Sequence, residues 1–324
     1  MRVLAVTPNW LGDMVMAASL FQCLKTANPE IKITALGPAF AQPLLARLEA
    51  VDKVIESPFG HGGLQVSARR HFARHLPKFD AALVLPNSWK SALIPAMAGI
   101  PKRAGWRGEA RWGLLTHHQR LDKAQYPRMV DRYTALAQHF GILPASPNPV
   151  LISNPIDFEW RSQRPLLVIA PGAAFGSAKR WPADRFAQVA LSALSRGFEV
   201  ALVGGPAEKA DCRKIVDAQP PAYQAHVHSL AGDLSLGDSI DLMAQATQVV
   251  ANDSGLMHVA AALGVPVIGL FGPTSPEHTP PLSESAQVVW SRPDCAPCFK
   301  KQCPLSYHVC MQELSPDHVV EKLR

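Results

Sequence analysis

Three short segments concentrate residue types that move protons or hold phosphates, and each follows a short apolar run. In Asn9-Trp10-Leu11-Gly12-Asp13 the carboxylate stands where a helix would begin. Asp13 there is either a helix N-cap or a base able to take a proton from a hydroxyl, with the helix N-terminus keeping it ionised. In 171–182, PGAAFGSAKRWP, Gly172 and Gly176 allow close backbone approach to a ligand, and Ser177, Lys179 and Arg180 follow at once. That is the composition of a diphosphate cradle; the plainer alternative is a surface loop with a basic pair. In 252–258, NDSGLMH, the free N–H groups of Ser254 and Gly255 would point at a phosphate as a helix opens. Asp253 suits ribose or sugar hydroxyls, and His258 lies one turn further in. A capped helix with a packed histidine is the competing description.

Two further clusters carry less specific chemistry. Residues 101–111, PKRAGWRGEAR, set Lys102, Arg103, Arg107 and Arg111 around Trp106, with Arg69, Arg70 and Arg74 upstream. Such a mixture serves nucleic acid, a phosphorylated sugar-lipid, or only solvation. Cys295, Cys298, Cys303 and Cys310 fall within sixteen residues. A structural metal, reduced thiols and a redox pair all remain open for them. Neither G-x-x-x-x-G-K-[ST] nor G-x-G-x-x-G occurs, which removes a nucleotide-hydrolysing P-loop and weakens an NAD-dependent oxidoreductase.

The elements that must position these residues alternate. Apolar runs at 2–7, 32–36, 51–56 and 81–85 predict strands, and 14–25, 88–98 and 130–140 predict helices. Residues 143–155, with four prolines and no charge, read as a linker. The alternation then restarts. Strands are expected at 166–170, 199–203, 248–251 and 267–270, and helices at 183–195, 208–217, 239–246 and 255–263. The expectation is an α/β chain of two Rossmann-like domains, 1–150 and 151–324, with mostly parallel sheets facing across a cleft. In such sheets ligands lie at the carboxyl ends of strands, where the three motifs fall.

Charge divides along the same line. Residues 1–150 hold 18 Lys and Arg against 9 Asp and Glu, a balance of +9; residues 151–324 hold 14 against 17, a balance of −3. A basic first half suggests an anionic partner. The acidic second half argues against a nucleic-acid-binding module. The absence of a run of about 18 apolar residues predicts a cytoplasmic protein that at most rests on a membrane surface.

Taken together, these segments resemble the ADP-heptose–lipopolysaccharide heptosyltransferases, most closely those of type II. The likeness spans nearly the whole chain, through NWLGDMVMAASLF, LPNSWKSALIPAMAGIPKRAGWRGEARWGLL, PGAAFGSAKRWP, NDSGLMHVAAALGVPVIGLFGPTSPEHTPPLS and CAPCFKKQCPLSYHVC. It implies the GT-B architecture, with acceptor on the first domain and sugar nucleotide on the second. It implies Asp13 as catalytic base, and Lys179, Ser177, Asp253, Ser254, Gly255 and His258 at the donor ADP-L-glycero-D-manno-heptose, with no cofactor or metal required. The acceptor would be anionic heptosyl-Kdo2-lipid A at the cytoplasmic face of the inner membrane. A type I enzyme acting on Kdo2-lipid A is the nearest alternative. Residues 316–324 close the sequence, where the resemblance would imply a longer helix.

Overall fold

Runs such as VLAV and LLVIA become strands covered on both faces, as all-parallel sheets require. The computed structural model describes all residues except His61 and Ser306, and the chain divides into units Met1–Ile152 and Ser153–Arg324.

In the first unit β1 (Arg2–Val6), β2 (Lys32–Pro38), β3 (Lys53–Ser57), β4 (Ala81–Val84), β5 (Lys102–Trp106) and β6 (His117–Gln119) form one parallel sheet. Its order is β3-β2-β1-β4-β5-β6. In register, Val3 of β1 lies between Ile33 and Ala81. The second unit repeats the plan with β7 (Leu166–Ala170), β8 (Glu199–Leu202), β9 (Val227–Ser229), β10 (Gln248–Asn252), β11 (Val267–Phe271) and β12 (Gln287–Trp290). Its order is β12-β11-β10-β7-β8-β9. Counted from β7, this is the same 3-2-1-4-5-6 order, so each unit is a Rossmann-type sheet. The order reverses between β1 and β4 in one sheet and between β7 and β10 in the other. The carboxyl ends at those two places are where such sheets bind ligands.

The cores follow from the apolar runs. In the second unit Ile169, Val200, Val250 and Ile268 pack with Phe186 and Val189 of the helix Ala183–Ser195. In the first, Leu4, Leu36 and Ala82 pack with Ile94 and Ile100. The helix Leu11–Ala27 is buried along most of its length, as a helix apolar nearly all round must be. The closing helix Pro316–Val320 belongs to the second unit. Its tail is fastened there by Arg196, which donates to the Val320 and Leu323 carbonyls, and by Gln248, which donates to Lys322 O.

The structure adds detail that the alternation did not show. Within the basic segment, Lys102–Trp106 is β5, with Ala104 and Trp106 buried. Residues 88–98 begin as a 3-10 turn, Trp89–Ala92, before the short helix Leu93–Met97, which contains Pro95. The helix at 129–140 likewise tightens to 3-10 geometry after Thr134. The proline-rich 143–155 is anchored on both sides of the division. Ile152 N–H donates to Arg47 O in the first unit, and Asn154 N–H to the Asp241 carboxylate in the second.

Candidate active site

In the second unit, the segments after β7 and β10 come together at the sheet's reversal point. Asn252, the last residue of β10, ties them: its side-chain amide donates to Pro171 O at 2.6 Å, and its oxygen accepts the Trp181 N–H at 3.2 Å. One residue on, Asp253 is 4% exposed and accepts from Lys179 Nζ at 2.6 Å and from the Thr274 hydroxyl at 2.5 Å, both on Oδ2. Lys179 is thereby held beside the N-terminus of the helix Gly255–Ala262, whose N-cap is Ser254. The Ser254 side chain makes no capping bond, and its buried Oγ has no partner. A lysine ammonium next to a helix N-terminus is an arrangement that favours a phosphate.

His258 sits one turn into that helix, 4% exposed, with Nδ1 lacking a hydrogen-bond partner. Burial foremost, helped by the Lys179 charge and opposed by Asp253, lowers its pKa to about 4. The ring is therefore neutral at pH 7. Ser177, in the 3-10 turn Ser177–Lys179, is exposed. The structure thus gathers Lys179, Asp253, Ser254, Gly255 and His258 at one strand-end site, with Ser177 two residues before Lys179.

The glycines of the loop also make room for internal neighbours. A Cβ on Gly172 would meet the Glu208 side chain, and one on Gly176 would overlap the Lys301 carbonyl. Their bareness admits internal neighbours. Arg180 turns to Glu208 at 3.5 Å, away from Lys179's partner. Thr274 carries no local signal in the sequence. It reaches Asp253 only because β11 runs beside β10.

The cysteine segment supports this site from behind. Cys295, Cys298, Cys303 and Cys310 line a cavity of about 40 Å³ with Ala178, Pro273 and His308. All four are free thiols, and burial first, then the neighbouring cysteines, raises Cys310 to about 11. Among the described residues no three His, Cys, Asp or Glu side chains are grouped so as to hold a metal. The segment grips the loops on either side through backbone groups and one histidine side chain. Lys301 O accepts from Ala178 N–H, His308 Nε2 donates to Ala178 O at 2.7 Å, and Cys298 and Phe299 N–H donate to Pro273 O.

In the first unit, Asp13 follows β1 but is not an N-cap. The helix Leu11–Ala27 is capped at Trp10 without a side-chain bond, and Asp13 is its third residue. Its Oδ1 accepts the hydroxyl of Tyr133 at 2.9 Å, a partner 120 positions away. An acid in the first turn gains from the helix dipole.

Part of the positive charge in and before the basic segment is turned inward. Arg111 is 1% exposed and donates to the carbonyls of Pro86 and Trp106; burial lowers its pKa to about 10. Arg103 donates to Ile100 O and Leu114 O, and buried Arg69 donates to Leu64 O. Trp106 is also buried, its indole N–H donating to Arg132 O, so it offers no stacking face. Arg70, Arg74 and Arg107 remain exposed.

Residues 69–308 match glycosyltransferase family 9 (heptosyltransferase). The chain is 41% identical to lipopolysaccharide heptosyltransferase 2 of Salmonella typhimurium, over all of this chain and 97% of that one. Lipopolysaccharide heptosyltransferase 1 of Pseudomonas aeruginosa is more distant, 29% identical over 94% of this chain and 87% of that one. The solved structure of E. coli ADP-heptose lps heptosyltransferase II superposes with a TM-score of 0.87 at 36% identity, covering 99% of this chain and 97% of that chain. Similarity of this length and degree, on the paired Rossmann-type sheets of GT-B enzymes, establishes that the chain belongs to glycosyltransferase family 9, the heptosyltransferases.

Proposed function

We propose that this chain is a heptosyltransferase of type II, moving L-glycero-D-manno-heptose from ADP-heptose onto the heptose of heptosyl-Kdo2-lipid A. The observation that carries the donor half is the Lys179–Asp253–Thr274 assembly beside the N-terminus of the helix Gly255–Ala262, at the sheet's reversal point. The acceptor half rests on full-length likeness to the type 2 relative and on the weaker likeness to type 1. A balance of +9 in the first half suits an anionic acceptor presented at a membrane surface. Among the described residues no helix is long and apolar enough to cross a membrane.

In this reading Asp13 takes the proton from the acceptor hydroxyl as its oxygen attacks the anomeric carbon. The bond from that carbon to ADP breaks on the opposite face, and configuration inverts through an oxocarbenium-like transition state. Negative charge grows on the departing diphosphate, and Lys179 with the helix N-terminus stabilises it. Asp253 repels phosphate, so its part is to aim Lys179 and accept a hydroxyl of the donor. His258, neutral at pH 7, adds no charge to the pocket.

Purified protein supplied with ADP-heptose and heptosyl-Kdo2-lipid A is expected to yield a product one heptose heavier by mass spectrometry. Asp13→Asn is expected to keep ADP-heptose affinity while turnover falls by about 10²-fold or more. Wild-type turnover in that variant would reduce Asp13 to a first-turn acid of its helix.

A further inference from the structure

We infer that Tyr133 is a positioning residue for the catalytic carboxylate: its hydroxyl donates to Asp13 Oδ1 and fixes the orientation in which that carboxylate meets the acceptor hydroxyl. The inference rests on the reading of Asp13 as base and extends it to a residue that no sequence motif marks.

The geometry is specific. Tyr133 is 7% exposed, and its hydroxyl donates to Asp13 Oδ1 at 2.9 Å. The phenol keeps its proton. Burial first, then the Asp13 charge and the hydrogen bond itself, push its pKa well above the ordinary phenol value, while Arg132 on the same helix opposes. The hydroxyl is thus a fixed donor to the carboxylate and not a competing acid. Asp13 across the helix interface and Arg132 on its own helix are the charges acting on Tyr133.

The short helix Met129–Thr134 that carries Tyr133 is pinned at both ends, which is what a positioning residue needs. At its start Arg128 makes two bonds to Asp131, at 2.8 and 2.7 Å. Ser146 donates to Asp131 at 2.9 Å and shares a hydrogen bond with Thr134 at the other end. Between them the Trp106 indole donates to Arg132 O at 2.7 Å, and Arg132 Nε donates to Tyr126 O at 2.9 Å. A six-residue helix has little stability of its own. These bonds supply the rigidity that keeps one hydroxyl within reach of one carboxylate oxygen.

The test is Tyr133→Phe, which deletes one oxygen and leaves the ring packed, alone and combined with Asp13→Asn. Melting and ADP-heptose binding confirm the fold. Tyr133→Phe is expected to lower kcat by roughly 10-fold with the donor's KM unchanged, a split that a general loss of fold would not produce. In the Asp13→Asn background the same change should cost nothing further, because the two residues act as one unit. Wild-type kcat in Tyr133→Phe overturns the inference, and if Asp13→Asn still loses turnover the base assignment survives. Multiplying losses in the double variant also overturn it, since they show a separate, structural effect. Full turnover in Asp13→Asn alone removes both the base and its positioner.

Discussion

Lys179 shows how one side chain is committed by its neighbours. Its ammonium is tied to Asp253, itself buried and further held by Thr274. Removing the lysine therefore does two things. Lys179→Ala is expected to weaken ADP binding by about 10-fold or more in calorimetry, the scale of a charge-assisted bond to phosphate. It also leaves a buried carboxylate without its cation, so the melting temperature should fall as well. Unchanged ADP affinity would remove the lysine from the donor site even if stability dropped. At this scale the sequence is only half legible. Asp13, Lys179 and Asp253 stand out because each follows a strand. Tyr133 and Thr274 do not, because their partners lie 120 and 21 positions away and the fold alone brings them together. The arginines mislead in the opposite sense: Arg69, Arg103 and Arg111 read as surface charge, yet they bond internal carbonyls.

Among the elements, the helix Gly255–Ala262 carries a testable consequence of its burial. His258, near its positive end, stays unprotonated until about pH 4, whereas an unfolded chain takes the proton near 6.5. As pH falls through that window the unfolded state binds the proton first, so stability is lost from about pH 6.5 down to about 4 and not further. From this group alone, denaturant unfolding should show about 2 kcal/mol less stability at pH 5 than at pH 7.5. His258→Gln should flatten that part of the profile; an identical slope in the variant would show that the ring is not buried neutral. Element legibility follows burial. Strands covered on both faces, such as β7 and β10, are continuous apolar runs and are read within a residue or two. The helix Ala183–Ser195 is read to the residue. β5 hides in a basic string because only Ala104, Gly105 and Trp106 face inward, and β6 is a three-residue edge strand with two exposed histidines.

For the whole molecule, the same strand order appears twice, and the residues proposed for chemistry follow the central strands of each sheet. That repetition is legible as a restart of the alternation after the prolines at 144–155. The type of acceptor is not legible from elements, because it depends on which anionic sugar-lipid the basic half admits, and several of that half's cations prove to be structural. The most direct measurement is turnover on two defined acceptors, heptosyl-Kdo2-lipid A and Kdo2-lipid A, with ADP-heptose in common and products weighed by mass spectrometry. The account predicts addition of one heptose to the heptose-bearing acceptor and little to the other. Efficient transfer to Kdo2-lipid A, with none to its heptosylated form, would contradict it.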